Sequence, residues 1–567
     1  MKSSSNGKIF GVQHLAAAWA RLRLGQDASV SKFPTKGSGS KLPDSEPGLP
    51  TEWKNAFARE RSGLPLPADP RPERLVGRLL AAFVLTGLVF LALPGTLLGV
   101  LNLLSISSHQ SATAAQTAWI QAHGQAQLFG WVGSFILGIS IYVLPKIQGR
   151  GFKRFEEAWA IWVFWTVGVT LRWWAGFGSP YWRVTLICGA ILELVGYGLA
   201  QHVLVFAPGA RERRLPKDLS SWMGIAGFGA LGVALLLDLA ITIWLIQSAA
   251  RPVVPPSLDR SCVLIALWGF VVPVAWGYSA RFVTIFLGLE PPDHGLARWL
   301  LVGVALLVVL ALLRVFVVVD LLALVLTVAA IQALRIFHPG HRPPKLLGAY
   351  RHYPYFVRLA YVWLGVGAIL GLLADLFPSI TGLGGASRHA VTVGFIATLV
   401  FAIGQRILPS FLNGRELYSL GLMGASLWVL NLGCLLRVST ESIAYSAGGI
   451  AWNLLPFSAF LELAAVLLFV ANIGLTLAHP MLVWFGQEGV KPTLTLYWCV
   501  SSFPGTRRIL IDAGLKTLAR VKEVPRTLTL AEAARADNAN LERIVGELGV
   551  FFGQHQPRRP GPTSDHK

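Results

Sequence analysis

WIQAHGQAQLFGWVGSFILGISIYVLP, residues 119–145, is an uncharged run of 27 residues that leads into a basic link. A helix needs about 20 apolar residues to cross the hydrocarbon core of a bilayer, and this run exceeds that length. The whole chain of 567 residues has the same character, with 54% hydrophobic residues, 14% charged residues and a mean hydropathy of +0.56. A soluble core cannot hold that much apolar sequence, so the composition predicts an all-α, polytopic membrane protein.

Apolar runs of similar length recur along the chain and predict about twelve transmembrane helices. Residues 297–337 form a single run of 41 residues, interrupted only by Arg314 and Asp320. We divide this run into two spans because 41 helical residues would measure about 60 Å, twice the hydrocarbon core. The predicted spans are 77–104, 119–145, 157–176, 183–206, 221–248, 261–288, 297–315, 318–337, 355–377, 388–410, 417–436 and 450–478.

Basic residues in the links predict the orientation of the spans. The links after the second, fourth and eighth spans (146–157, 211–218 and 338–358) each carry four Lys or Arg residues, whereas those after the first and ninth carry none. Because cytoplasmic loops are enriched in Lys and Arg, even-numbered spans should end in the cytoplasm. We therefore expect a bacterial inner-membrane protein with both termini inside. The net charge of +20 belongs to these links and does not indicate nucleic-acid binding.

Three regions are predicted along the chain. Residues 1–76 are rich in Ser, Gly, Pro and mixed charges, which is typical of a disordered, basic cytoplasmic segment. Residues 77–480 form the membrane domain. Residues 505–553 indicate a small cytoplasmic helical domain, in which Thr529 and Glu532 have the spacing of a capping box.

The ends of three spans are similar to one another. YVLPKIQGRG (142–151), YSARFVTIFLGLE (278–290) and GQRILPSFLNGRE (404–416) follow the second, sixth and tenth spans, about 130 residues apart. Recurrence at every fourth helix predicts three units of four helices rather than two units of six.

Two histidines begin spans that run in the same direction. His123 begins the second span and His389 the tenth, so both should lie near the outer face. Histidine within a span is costly unless it has a partner, and neutral imidazole is a common axial ligand of haem iron. The alternative is a pair of interfacial histidines bonded to water or backbone. Small residues follow each histidine and suit either a flat macrocycle or close helix packing: Gly124, Gly130, Gly133, Ala390, Gly394 and Ala397.

Two stretches resemble known families. HGQAQLFGWVGSFILGISIYVLP (123–145) resembles the second helix of haem-copper oxidase and nitric oxide reductase large subunits. RHAVTVGFIATLVFAIGQRILPSF (388–411) resembles more closely the late helix of the NnrS family. Members of that family are polytopic proteins described as containing haem and copper and linked to nitric oxide, nitrosative stress or denitrification. In the oxidase superfamily a low-spin haem lies between histidines on the second and tenth helices, so the resemblance implies that His123 and His389 bind haem b.

The chain also departs from the oxidase pattern. Those enzymes need a histidine on the sixth helix and a His-His pair on the seventh for their second metal. Here the sixth span has Cys262 and no histidine, and His294 lies before the seventh span. Val391 occupies a position in the tenth span where a second histidine would be expected. We therefore do not expect dioxygen or nitric oxide reduction by that mechanism.

Other polar residues have less specific interpretations. His109, after the first span, is a candidate copper ligand; the alternative is a solvated loop histidine. Glu193 and Glu462 lie within spans and need partners. Asp238 and Asp375 are in the same situation. Arg281 and Arg406 occupy matching ends of the sixth and tenth spans, where extension toward the cytoplasmic interface is favoured over binding of haem propionates.

The C-terminal region resembles a small domain often joined to iron-sulfur repair and redox proteins. It lacks the cysteine pair of some members, so we expect it to bind a protein, either an electron donor or a signalling partner.

Two other functions of the chain are possible from its sequence. One alternative function is a twelve-helix secondary transporter, which should repeat every six helices rather than every four. The other is a membrane haem sensor that signals through the C-terminal domain.

Overall fold

The computed structural model describes residues 49–61, 70–147, 154–205, 218–346, 348–411, 417–478, 489–503 and 505–553. Within these ranges the regular structure is helical, and Thr495 and Thr529 form the one isolated β-bridge. Eleven helices of this described part are long and apolar enough to cross a membrane. The prediction of an all-α, polytopic membrane protein is therefore confirmed.

A further helix occupies the position of the third predicted span. Phe155–Ala175 has 21 residues, long enough to cross, but it is more polar because it carries Glu156, Glu157 and Arg172. The membrane helices, in chain order, are α2 (Leu75–Ser108), α3 (Thr117–Lys146), α4 (Phe155–Ala175), α5 (Trp182–Leu204), α6 (Leu219–Ser248), α7 (Pro256–Leu287), α8 (His294–Leu312), α9 (Phe316–Leu334), α10 (Tyr353–Leu376), α11 (Leu383–Pro409), α12 (Leu420–Ala447) and α13 (Ala451–Ala478), and a short helix α1 (Thr51–Arg61) precedes them.

The long apolar run at 297–337 is divided, as the sequence predicts. Helix α8 ends at Leu312 and α9 begins at Phe316. Arg314 lies in the turn with φ of +60°, a left-handed conformation that a continuing helix does not contain. The chain therefore reverses here, and the run supplies two spans.

Three helices form the centre of the membrane domain. In α3, α7 and α11, 83%, 78% and 72% of the most apolar stretch is buried inside the protein, against 56% or less in the other eight apolar spans. Each of the three also contains a π-helical segment, a feature frequent at functional sites: Ala126–Gly133, Ile265–Val271 and Ala390–Ala397. A further π-helical segment, Leu91–Leu97, lies in α2. The three most buried spans are the second, sixth and tenth, so their burial has the same four-helix spacing as the similar span ends.

The three central helices contact one another near their final turns. The hydroxyl groups of Ser140 on α3 and Tyr278 on α7 are 2.6 Å apart. The ring of Phe411, just beyond α11, lies 4.9 Å from the ring of Tyr142 and 6.0 Å from that of Phe282. These contacts connect the ends of α3, α7 and α11 opposite to the ends where His123 and His389 lie.

A second hydrophobic core lies outside the membrane helices and includes the N-terminal helix α1. Trp53 and Ala56 of α1 are fully buried in it, together with residues of the C-terminal region. The prediction of disorder over 1–76 is therefore wrong for α1 and for residues 70–76, which are helical, while 1–48 and 62–69 lie outside the described residues. The C-terminal helices are α14 (Leu496–Ser502), α15 (Thr506–Asp512), α16 (Lys516–Arg520), α17 (Leu530–Ala536) and α18 (Leu541–Gly553).

The C-terminal core starts earlier in the chain than residue 505. Val490, Leu496 and Cys499 are buried in it, so the predicted boundary at 505 divides a single packed unit. Thr529 and Glu532 form the predicted capping box at the start of α17. Burial raises the pKa of the Cys499 thiol to about 12, which keeps it protonated and unreactive.

Candidate functional site

His123 and His389 lie near each other at the same end of the central helices. His123 is in the first turns of α3, and His389 is in the first turns of α11. The two imidazoles are close enough to interact electrostatically, and Arg437 of α12 interacts with both. Helices α3 and α11 therefore bring His123 and His389 to one site.

Each imidazole uses its Nδ1 atom to bind a backbone carbonyl. His123 Nδ1 lies 2.8 Å from the carbonyl oxygen of Gly95, on the neighbouring helix α2. His389 Nδ1 lies 3.1 Å from the carbonyl oxygen of Gly385, one turn earlier in α11. Because a carbonyl only accepts, Nδ1 carries the hydrogen in each ring and the Nε2 lone pair is left for another partner. Metal-binding histidines have this arrangement in most proteins.

Glycines bring the neighbouring groups close to the two rings. A Cβ atom at Gly99 of α2 would lie 2.6 Å from Cε1 of His123, and one at Gly385 would lie 2.0 Å from Oε1 of Glu441. Other glycines that follow the histidines serve helix packing: Gly130 contacts Phe90, and Gly394 contacts Trp363. For these two positions the structure favours close packing over clearance for a macrocycle.

Helix α12 supplies charged groups beside the pair. Oε2 of Glu441 lies 3.6 Å from Nδ1 of His389 and 3.3 Å from Nε of Arg437. Both side chains are buried, and the Nη1 atom of Arg437 has no hydrogen-bond partner within the described residues. Cys434, one turn earlier, lies against the His389 carbonyl at 3.9 Å. Arg437 therefore presents an unused, buried donor next to the two imidazoles.

A scan against protein-family models matches residues 78–481 to the family described as NnrS protein. This match covers most of the chain and the whole set of membrane helices. The chain belongs to the NnrS family. A search of curated proteins finds no match to it. The resemblance seen in the tenth span is thus confirmed at the level of the family, while similarity to haem-copper oxidases is not shown.

The remaining predicted residues lie elsewhere. Arg406 stacks on the ring of Phe286 at 4.7 Å, and it lies 17 residues after His389, about 25 Å along α11. Arg281 is exposed at the corresponding end of α7. His109 is exposed, with Nδ1 2.9 Å from the carbonyl oxygen of Ser105. In the described ranges no three His, Cys, Asp or Glu side chains are grouped to hold a metal ion, so copper at His109 stays a prediction.

Asp238 and Asp375 have ion-pair partners, whereas Glu193 lies 3.8 Å from Nε of Arg172 and Oε1 of Glu462 has no hydrogen-bond partner in the described structure. Each of these carboxylates lies in a group of one arginine and two carboxylates. Arg260 binds Asp320 at 2.8 Å and Asp375 at 2.6 Å through a single nitrogen. The three groups are Arg172 with Glu193 and Asp238, Arg260 with Asp320 and Asp375, and Arg437 with Glu441 and Glu462.

Sequence reasoning missed the arginines of these groups. Span eleven was predicted to end at residue 436, because Arg437 and Glu441 interrupt the apolar run. The helix continues to Ala447, and the two charges face each other inside it. The signal that could have found them is the rule that charged residues within a span pair with one another.

Proposed function

We propose that this NnrS-family protein binds one b-type haem near the outer membrane face, with His123 and His389 as axial ligands. The observation that carries the proposal is the matched use of Nδ1 by both imidazoles, which leaves Nε2 of each ring for a metal. No hydrogen bond to either Nε2 occurs among the described residues. A bis-imidazole haem is low-spin and supplies one-electron transfer.

The side chains around the pair fit such a group. Haem carries two carboxylates, and Arg437 has unused donors in a buried position beside both histidines. Asn102, one turn from Gly99 on the same face of α2, has a buried amide oxygen with no partner in the described structure. These orphaned polar atoms would otherwise carry a desolvation cost, which supports the presence of a polar ligand at this site.

The chain's own residues would set the properties of this site. The carbonyl groups of Gly95 and Gly385 fix the orientation of the two rings and increase the basicity of Nε2. Glu441 holds Arg437 in place and lies near Nδ1 of His389. If both imidazoles hold the haem, the group would supply electron transfer at this site rather than an open position for nitric oxide. We therefore infer a role in nitric oxide or nitrosative-stress physiology through electron transfer or sensing, in the bacterial inner membrane.

The absorption spectrum of the purified full-length protein tests this proposal. Protein made with adequate haem supply should show the sharp bands of reduced low-spin haem. His123→Ala and His389→Ala should each convert the spectrum to high spin or remove the haem, because each substitution deletes one axial ligand. His202→Ala is the matched control, since His202 is half exposed near Glu157 on α4. Unchanged spectra in both single variants would reject the ligand assignment.

A haem-free protein would favour a different function. The three arginine–carboxylate groups within the spans are a specific feature that a secondary transporter would use to bind ions. In that case the protein purified with adequate haem supply should show no visible absorption. The high burial of every fourth span, α3, α7 and α11, opposes a transporter of two six-helix halves.

A further inference from the structure

The group formed by Arg172, Glu193 and Asp238 is buried among helices α4, α5 and α6. The Glu193 side chain is 1% exposed, and that of Arg172 is 10% exposed. Gly168 brings α4 so close to α5 that a Cβ atom there would lie 2.8 Å from the Glu193 backbone nitrogen. The three charged groups therefore lie in a tightly packed environment within the spans.

Arg172 directs its charge to one of the two carboxylates. Its two terminal nitrogens pair with the two oxygens of Asp238, and Thr242 accepts a further hydrogen bond at 3.3 Å. Glu193 lies 3.8 Å from Nε of Arg172, too far for a hydrogen bond, and Nε has no hydrogen-bond partner in the described structure. The arginine thus neutralises Asp238 and leaves the charge of Glu193 without a matched partner.

Among the described residues, the other groups that face Glu193 do not supply a second positive charge. Gln125 of α3 donates its amide to both oxygens of Glu193, at 3.1 and 3.4 Å. From α7, Cys262 interacts with Arg172 and Asp238, and Asp259 lies beyond it. One arginine against two ionised carboxylates gives a net charge of −1, and a buried, unbalanced charge is strongly unfavourable.

We propose that this group binds one proton, carried by Glu193, and is an intramembrane proton site separate from the histidine pair. Protonation converts the Glu193 carboxylate to a carboxylic acid and makes the group neutral, with no other reactant. Gln125 can still donate to the oxygen that does not carry the proton. His123 and Gln125 are two residues apart on α3 and therefore point to different sides of that helix, which keeps the two sites distinct.

Infrared spectroscopy of the full-length protein in lipid nanodiscs tests the proposal. At neutral pH the protein should show a carboxylic-acid C=O band that shifts in D₂O. Glu193→Gln should remove one component of this band, measured as the wild-type-minus-variant difference spectrum, because the groups of Arg260 and Arg437 contribute equally to both proteins. Asp238→Asn should also remove it, although Glu193 is still present, because Arg172 is then released to neutralise Glu193. Glu542→Gln, an exposed position in the C-terminal region, is the control and should leave the band unchanged.

A second pair of variants locates the proton. Glu193→Asp should retain the band and shift its frequency, whereas Asp238→Glu should leave the frequency unchanged. The reverse result would place the proton on Asp238 and overturn the assignment. Difference spectra that show no lost component for either Glu193→Gln or Asp238→Asn would reject the proton site. Loss of the Glu193 component on replacing potassium by sodium would also reject it and would indicate a metal cation instead. These measurements do not need haem. Their result therefore tests the proton site whether or not His123 and His389 bind haem.

Discussion

Single residues decide how closely helices α2 and α3 approach at the histidine site. The sequence identified His123 from its position in a span, but the group that orients its ring is the Gly95 carbonyl, 28 residues earlier on another helix. Gly99 leaves the space that the ring occupies. Neither contact could be predicted from sequence, because both depend on how α2 is rotated against α3.

Gly99 lies against the His123 ring, whereas Gly124 has open space beside it. Gly99→Ala places a methyl group 2.6 Å from Cε1 of His123, well inside van der Waals contact, so the ring must move or the helices must separate. We expect a loss of low-spin haem and a destabilisation of about 1–3 kcal/mol. Gly124→Ala is the control, because a Cβ there meets nothing within 4 Å. The visible spectrum and the thermal unfolding midpoint measure both effects, and equal behaviour of the two variants would contradict the assigned contact.

Helices as whole elements were predicted well where apolar length alone defines them. The division between α8 and α9 follows from composition and span length. The π-helical segments were not predicted, since one extra residue per turn leaves no clear mark on an apolar run. Helix α1 was missed for a different reason. It is too polar to indicate burial, and its two large apolar residues, Trp53 and Phe57, pack on a core formed some 440 residues later.

The element-scale prediction concerns the attachment of α1. Trp53 is fully buried, Thr527 donates its hydroxyl to the Ala56 carbonyl at 2.9 Å, and Arg59 binds Glu532 at 2.9 Å. Partial burial raises the pKa of the Glu532 carboxyl, but hydrogen bonds from Thr529 and the Arg59 guanidinium bring the net pKa below its ordinary value. The carboxylate form is thus stabilised first by Thr529 in the capping box and then by the contact with α1.

Trp53→Ala should remove about 3–5 kcal/mol of packing energy and release α1 from the C-terminal core. Hydrogen exchange of the full-length protein should then become fast over 49–61 and faster over 489–553, while the membrane helices keep their protection. Lys54→Ala is the matched control because Lys54 is exposed on the same helix. Retained protection of 49–61 in Trp53→Ala would show that the shared core does not hold α1.

The hydrophobic core shared by α1 and the C-terminal region restricts how many times the chain can cross the membrane. Helix α1 precedes the first membrane span and shares a hydrophobic core with the region that follows the last one. Both must therefore lie on one side of the membrane, which requires an even number of spans. Eleven helices meet the length and hydropathy requirement, so α4, with its 21 residues, is the twelfth crossing. Arg172 lowers its hydropathy but is paired inside the protein, so the charge does not prevent a transmembrane position.

The whole-molecule prediction is a labelling pattern that fixes both this count and the orientation. In a Cys188→Ser background, cysteines at Ser111 and Tyr181 should react with a membrane-impermeant thiol reagent in intact cells, because the link at Ser111 carries no basic residues and α4 ends near Tyr181. Cysteines at His341 and Glu542 should react only after permeabilisation, since the first lies in a basic link and the second in the C-terminal core region. Protection of Tyr181→Cys together with labelling of Ser111→Cys would mean that α4 does not cross. Reversal of all four results would place the basic links outside and move the histidine pair to the cytoplasmic face.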